Sequence, residues 1–220
     1  MILQAKNLRT HYGHGSYLSN ISFTLEPGEI LFIRCRVLLL GSVLLRTLMG
    51  MADEAEGEVW FERENLLAPP QPGRLLELRR QMAMVYRTRG LISLLNVEQN
   101  IALPLGYHYN IPRRELAACV QEVAELLDIK ALLPLGAEEL DEMQTRLVNL
   151  ARALIGRPKL LLIDGLLEGM PGLCERLMDA IGKYQERHGF GVVMTGRHRG
   201  IEFATRACEL HDEGLTPITS

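Results

Sequence analysis

The residues that could do chemistry are few and scattered along this chain. A hydroxyl, Ser42, follows Gly41 directly, and a carboxylate, Asp164, closes the apolar run Leu160-Leu161-Leu162-Ile163. Read locally, they are a helix-start hydroxyl and a strand-end carboxylate, each suited to hydrogen bonds close by. Arg87 and Arg89 follow an apolar segment, where contact with a partner competes evenly with plain solvation. Asp141 and Glu142 fall just inside a helix start, where negative charge favours the helix dipole. The cysteines, Cys35, Cys119, Cys174 and Cys208, are far apart, with no CxxC pair and no histidine at metal spacing. They read as free thiols of a reducing cytoplasm. His11 and His14 have metal-compatible spacing only loosely and read as solvated loop, while His108, His188, His198 and His211 form no constellation. No metal site and no catalytic residue is expected.

The elements that must position these groups alternate. Short apolar or alternating segments at 2–8, 21–25, 29–33 and 59–62 are punctuated by Gly13, Gly15, Pro27-Gly28 and Gly57, as strands and turns are. After Gly41 a short helix pattern, SVLLRTLMG, closes at Gly50. Residues 68–73 (APPQPG) read as a rigid surface loop and 81–86 (QMAMVY) as a buried strand. The middle is helical. Segment 112–128 has apolar residues at Leu116, Val120, Val123, Ala124 and Leu127, spaced for one helix face. Segment 139–155 repeats the pattern with Leu140, Met143, Leu147, Leu150, Ala151 and Leu154. The final third alternates strand 159–164, helix 173–188, strand 190–195, helix 200–204 and strand 208–211, which argues for a parallel sheet covered by helices.

At 220 residues and 47% hydrophobic, the chain has enough apolar material for one compact domain. A net charge of −3 with 5% aromatic residues gives no reason to expect nucleic acid as a partner. The longest apolar run, 37–45, is interrupted by Gly41 and Ser42 and bracketed by Arg36 and Arg46, whereas a membrane span needs about 20 apolar residues. The start, MILQAKNLRTHYG, lacks the basic and long apolar regions of a signal peptide, so a cytoplasmic location is expected.

This order of elements resembles the ATPase domain of ABC transporters along the whole chain. The stretches LLRTLMG, LRRQMAMVYRTRGLISLLNVEQNIALPL and LARALIGRPKLLLID are similar to the ATPase subunits of MCE-type phospholipid transporters, the maintenance-of-lipid-asymmetry kind. The resemblance implies an α/β, P-loop NTPase-like fold. It would form one domain, 1–220, with an N-terminal antiparallel β subdomain and a helical subdomain inserted at 88–157.

The family's functional motifs are largely replaced. Its phosphate loop, GxxGxGK[ST][ST], wraps phosphates in glycine-rich backbone and neutralises them with lysine. The aligned run here is Cys35-Arg36-Val37-Leu38-Leu39-Leu40-Gly41-Ser42-Val43. Cys35, Leu38 and Leu40 stand for glycines and Gly41 for the lysine, leaving Ser42 as a residual magnesium ligand. Each lost charge-assisted hydrogen bond is worth about 1.5–3 kcal/mol, so several losses weaken ATP binding about a thousandfold or more. Arg87 replaces the magnesium-contacting glutamine. Leu140-Asp141-Glu142-Met143-Gln144 replaces LSGGQ, setting two carboxylates against a phosphate. Asp164 is kept, but Gly165 replaces the catalytic glutamate, Pro171 the aspartate of the inter-subunit loop, and Gly196 the switch histidine, with His198 offset by two. Tyr12 matches the aromatic that stacks on adenine. Tyr12, Ser42 and Asp164 are thus the vestigial nucleotide positions, and no cofactor is expected unless that site still holds Mg-ATP.

The resulting expectation is a non-hydrolysing, structural or regulatory ATPase-like subunit of a lipid transporter, peripheral on the inner face of the membrane. It would dock a transmembrane permease through residues 87–97, with Arg87 and Arg89 in contact, and pair with an intact ATPase or a second copy of itself. The alternatives are a soluble regulator or small-molecule binder using the old cleft, and a divergent but active ATPase. Some of the bulky residues 37–40 are expected to fold inward over the phosphate position, or the helix near Ser42 to begin earlier and block it.

Overall fold

The computed structural model describes every residue except 14, 70, 72, 88, 89, 110, 170, 219 and 220, and gives the backbone but not the side chains of 108, 171 and 173. The chain opens with β1 (Leu3–Gly13) and β2 (Ser16–Leu25). Along β1 the buried positions are Leu3, Ala5, Leu8 and Thr10, so the period of two breaks once. Asn7, at φ 46°, absorbs the extra residue in a register shift between Ala5 and Leu8. With β4 (Ala55–Phe61) and the short β5 (Glu64–Asn65), these strands form an antiparallel sheet in the order β2-β1-β4-β5.

The second sheet runs β10-β9-β3-β8-β7-β6. It contains β3 (Ile30–Cys35), β6 (Met82–Val85), β7 (Leu160–Asp164), β8 (Gly191–Gly196), β9 (Arg206–His211) and β10 (Gly214–Pro217). Its pairings are parallel except β9 with β10. Every residue of β7 and β8 is buried, as in a sheet covered on both faces. Alternation along the strands divides the interior in two. Phe32, Leu161 and Ile163 face a cluster shared with α3 (Val97–His108), α4 (Arg113–Leu126), α5 (Glu142–Leu154) and α6 (Pro171–His188). Leu31, Ile33, Leu160 and Leu162 face a cluster shared with the antiparallel sheet and α1 (Leu38–Leu48). Helices α3 to α5 lie in sequence between β6 and β7.

Helix starts follow capping chemistry. Asn96 and Gln99 exchange side-chain and backbone hydrogen bonds at the start of α3, as Asp141 and Gln144 do at the start of α5. Asp141 therefore serves the helix, the local reading of that carboxylate.

Of the two arrangements expected after β3, the earlier helix start is the one found: α1 begins at Leu38, one turn before Ser42. Val37 is 54% and Leu39 56% exposed, so neither folds inward. The cause is helical period. Once the backbone coils from Leu38, Gly41, Leu44, Leu45 and Leu48 take the core-facing stripe, and residues 37 and 39 fall on the opposite side. The helix placed at 200–204 is a single 3₁₀ turn, Ile201–Phe203. A short helix, α2 (Arg74–Arg79), and strands β5 and β10 join the expected set.

Candidate functional site

The carboxyl end of β7 and the start of α1 meet at one point. Ser42 Oγ donates to Asp164 Oδ2 at 2.6 Å, uniting two residues 122 positions apart. Asp164 is 6% exposed. Its Oδ1 accepts from Thr195 Oγ1 at 3.5 Å, and Thr195 is its register partner on β8. Burial pushes the Asp164 carboxyl above its ordinary value, opposed by the Ser42 hydrogen bond, the charge of Arg87 and the Thr195 hydroxyl.

Helix α1 lies flush on the sheet at Gly41. A Cβ there would stand 2.9 Å from Thr195 Cβ and 3.1 Å from Cys35 Sγ, so the position expected to hold the phosphate-binding lysine has no space for a side chain. Thr10 and Thr47 share a buried hydrogen bond of 2.9 Å that ties α1 to β1 further along.

Arg87 follows β6 and is half-buried. Its stem crosses Gly165: a Cβ on that glycine would meet Arg87 Cδ at 3.2 Å. Gly165 sits at φ +56°, where a side chain is strained in any case. Arg87, put forward as a partner contact, thus crowds the position of a Cβ at 165, and its cation acts on Asp164. Arg89 lies outside the described residues. Tyr12, near the end of β1, is half-buried and packs against the cluster beneath the antiparallel sheet.

Sequence reasoning missed Thr195, Arg146 and Glu168. Arg146 is buried, and its Nη1 donates to the carbonyls of Leu166 and Glu168, both at 2.6 Å, while Nη2 donates to Glu142 Oε1 at 2.6 Å. It fastens α5 to the turn after β7 and draws Glu142 back along its own helix. The i,i+4 spacing of Glu142 and Arg146 was the available signal. Glu168 Oε1 accepts from the Arg197 N–H at 2.6 Å and would stand 3.0 Å from a Cβ on Gly196.

One hydroxyl and one carboxylate, already bonded to each other, face a guanidinium instead of a glutamine, the lysine position is closed, and 165 carries no base. No group of three or more His, Cys, Asp or Glu able to hold a metal is found among the described residues. The N–H groups at the start of α5 are partly taken by Asp141, whose Oδ1 accepts from Gln144 N at 2.8 Å.

A parallel sheet flanked by an antiparallel β layer and an intervening set of helices, with Ser42 and Asp164 joined at the strand ends, defines the ATPase-cassette class of α/β fold. Residues 18–167 match the family profile described as ABC transporter, and the chain belongs to that family. Relatives include the methionine import ATP-binding protein MetN of Mesorhizobium japonicum, 34% identical over 74% of this chain and 44% of its own length. The MetN of Campylobacter jejuni is 26% identical over 88% of this chain and 62% of its own. The intermembrane phospholipid transport system ATP-binding protein MlaF of Escherichia coli K12 is 30% identical over 69% of this chain and 56% of its own. The chain thus aligns with less than two thirds of each of these relatives. Among solved structures, the dimeric structure of MJ0796, a bacterial ABC transporter cassette, superposes with TM-score 0.86 at 21% identity, covering 100% of both chains. That of cbiO1 from Clostridium perfringens does so at 0.86 and 18%, covering 98% and 86%. At these identities the likeness establishes the fold.

Proposed function

We propose that this ABC-family chain is a non-hydrolysing ATPase-like subunit, acting as a structural or regulatory component of a membrane lipid transporter. The observation that carries the reading is the seating of α1: Gly41 packs against Thr195 and Cys35 where the family's lysine would stand. The relation to MlaF supports lipid transport as the setting. No helix among the described residues is long and apolar enough to cross a membrane. In this reading the subunit works from the cytoplasmic side, docked on a transmembrane permease and paired with an intact ATPase or a second copy. Its contribution is shape, since a glycine at 165 supplies none of the about 10²–10⁴-fold that a general base gives. The test is ATP turnover and Mg-ATP titration of the purified protein. Turnover should not exceed a buffer blank, and titration should show no sub-millimolar affinity. Turnover above the blank would overturn the non-hydrolysing reading, and magnesium-dependent binding at micromolar concentration would overturn the account of α1 that carries it.

A further inference from the structure

We propose that the cleft at the carboxyl ends of β3, β8 and β9 binds a small phosphate-bearing anion without a divalent metal ion. The cleft measures about 490 Å³ and is lined by Arg34, Cys35, Arg36, Arg197, His198 and Glu209. That volume falls within the roughly 300–1,000 Å³ of small-molecule sites. Its position follows from topology. Arg34 is the register partner of Gly196 on one side and of Glu209 on the other, so Arg34-Cys35-Arg36 and Arg197-His198-Arg199 leave neighbouring parallel strands at the same end. Open α/β sheets take ligands in the crevice outside that end.

Charge selects the ligand. Three guanidiniums line the cleft against one carboxylate, a net +2 from these four side chains. Glu209 Oε2 accepts from Arg34 Nη2 at 2.5 Å and Oε1 accepts from Arg36 Nε at 3.0 Å, so one carboxylate aligns two cations and neutralises only one. The Arg197 guanidinium has no hydrogen-bond or ion-pair partner among the described residues, yet its backbone N–H is held by Glu168 Oε1. Glu168 thus brings a further carboxylate beside the cleft, taking the five side chains to a net +1, while Asp164, the next carboxylate, faces the Arg87 cation. Cys35 adds no charge, because burial and the nearby Asp164 and Glu168 push its thiol up to about 12. Guanidinium forks match phosphate oxygens two at a time. Positive charge that the family places on the loop lysine is here displaced to the strand ends, and it comes from the protein alone.

The test is calorimetric titration of pyrophosphate into the full chain in EDTA at low salt. Saturable binding is expected at or below about 1 mM. Arg197→Ala and Arg36→Ala, both at exposed positions, should each weaken it about tenfold, the scale of one charge-assisted hydrogen bond, without moving the thermal midpoint. Added magnesium should weaken binding by neutralising the ligand. Metal-free ADP and glycerol 3-phosphate separate the two sources of such a group: tighter ADP or pyrophosphate assigns a free polyphosphate, and tighter glycerol 3-phosphate a lipid headgroup. No saturation by about 10 mM, an affinity unchanged from the parent chain in both variants, or a requirement for magnesium overturns the proposal. The non-hydrolysing reading fails separately, through ATP turnover, and neither result stands in for the other.

Discussion

At the scale of the residue, Asp164 shows how burial and neighbouring groups pull one carboxylate in opposite directions. It is buried, and its hydrogen bonds come from Ser42 and Thr195 while the nearby cation is Arg87. Because burial is the largest influence, its pKa in the folded chain lies above the ordinary 3.8. The folded state then holds more protons than the unfolded state as pH rises from 3.8 to the raised value. Over that window stability falls, and above it the loss is complete. Asp164→Asn keeps an oxygen acceptor for Ser42 and cannot ionise. Denaturant midpoints measured across pH should therefore show the parent losing stability relative to Asp164→Asn as pH rises through the window. A parent that gains on the variant instead would mean that Arg87 and the hydroxyls outweigh desolvation.

At the scale of the element, the seating of α1 fixes the space beside Ser42 and Asp164. Gly41→Lys restores the family's residue, but its Cβ would press on Thr195 and Cys35. Overpacking of this kind costs about 1–3 kcal/mol. The variant should melt at lower temperature and still bind no Mg-ATP by calorimetry; clear binding with an unchanged melting point would show that the helix yields easily. Most of this architecture was legible in sequence because strand alternation, the helix faces at 112–128 and 139–155, and the closing βαβ order are local patterns. The meeting of Ser42 and Asp164 followed from the family resemblance. What escaped was contact across the sheet. Thr195 looks like any strand residue until pairing sets it beside Asp164. Arg87 reads as a surface cation until the turn at Gly165 leaves a space its stem can fill. The outward turn of Val37 and Leu39 depends on where α1 starts, and Val37, its N-cap residue, makes no side-chain capping bond that a sequence could reveal.

At the scale of the whole molecule, the family fold is present, and a non-hydrolysing subunit, as proposed above, would act through its surfaces. Arg87 is a poor reporter of docking, since charge reversal would set a second carboxylate beside buried Asp164 and destabilise the chain whatever binds it. The segment after it offers a cleaner one. Ile92 is 42% and Leu94 92% exposed, two apolar side chains held out into water. The loop bearing them is firmly tied from beneath. Buried Asn100 accepts from Ile92 N at 2.8 Å and donates to the carbonyls of Ile92, Leu95 and Asn96 at 3.0–3.1 Å. A rigid loop loses little conformational entropy on binding, so its apolar tip is pre-organised for a partner. If this face docks a permease, Leu94→Asp combined with Ile92→Asp should abolish co-purification with a membrane subunit from solubilised membranes. The thermal midpoint should barely move, because exposed substitutions typically stay within about 0.5 kcal/mol. Co-purification that survives both changes would place the docking surface elsewhere on the molecule, while a large fall in melting temperature would show that the loop supports the fold instead of a partner.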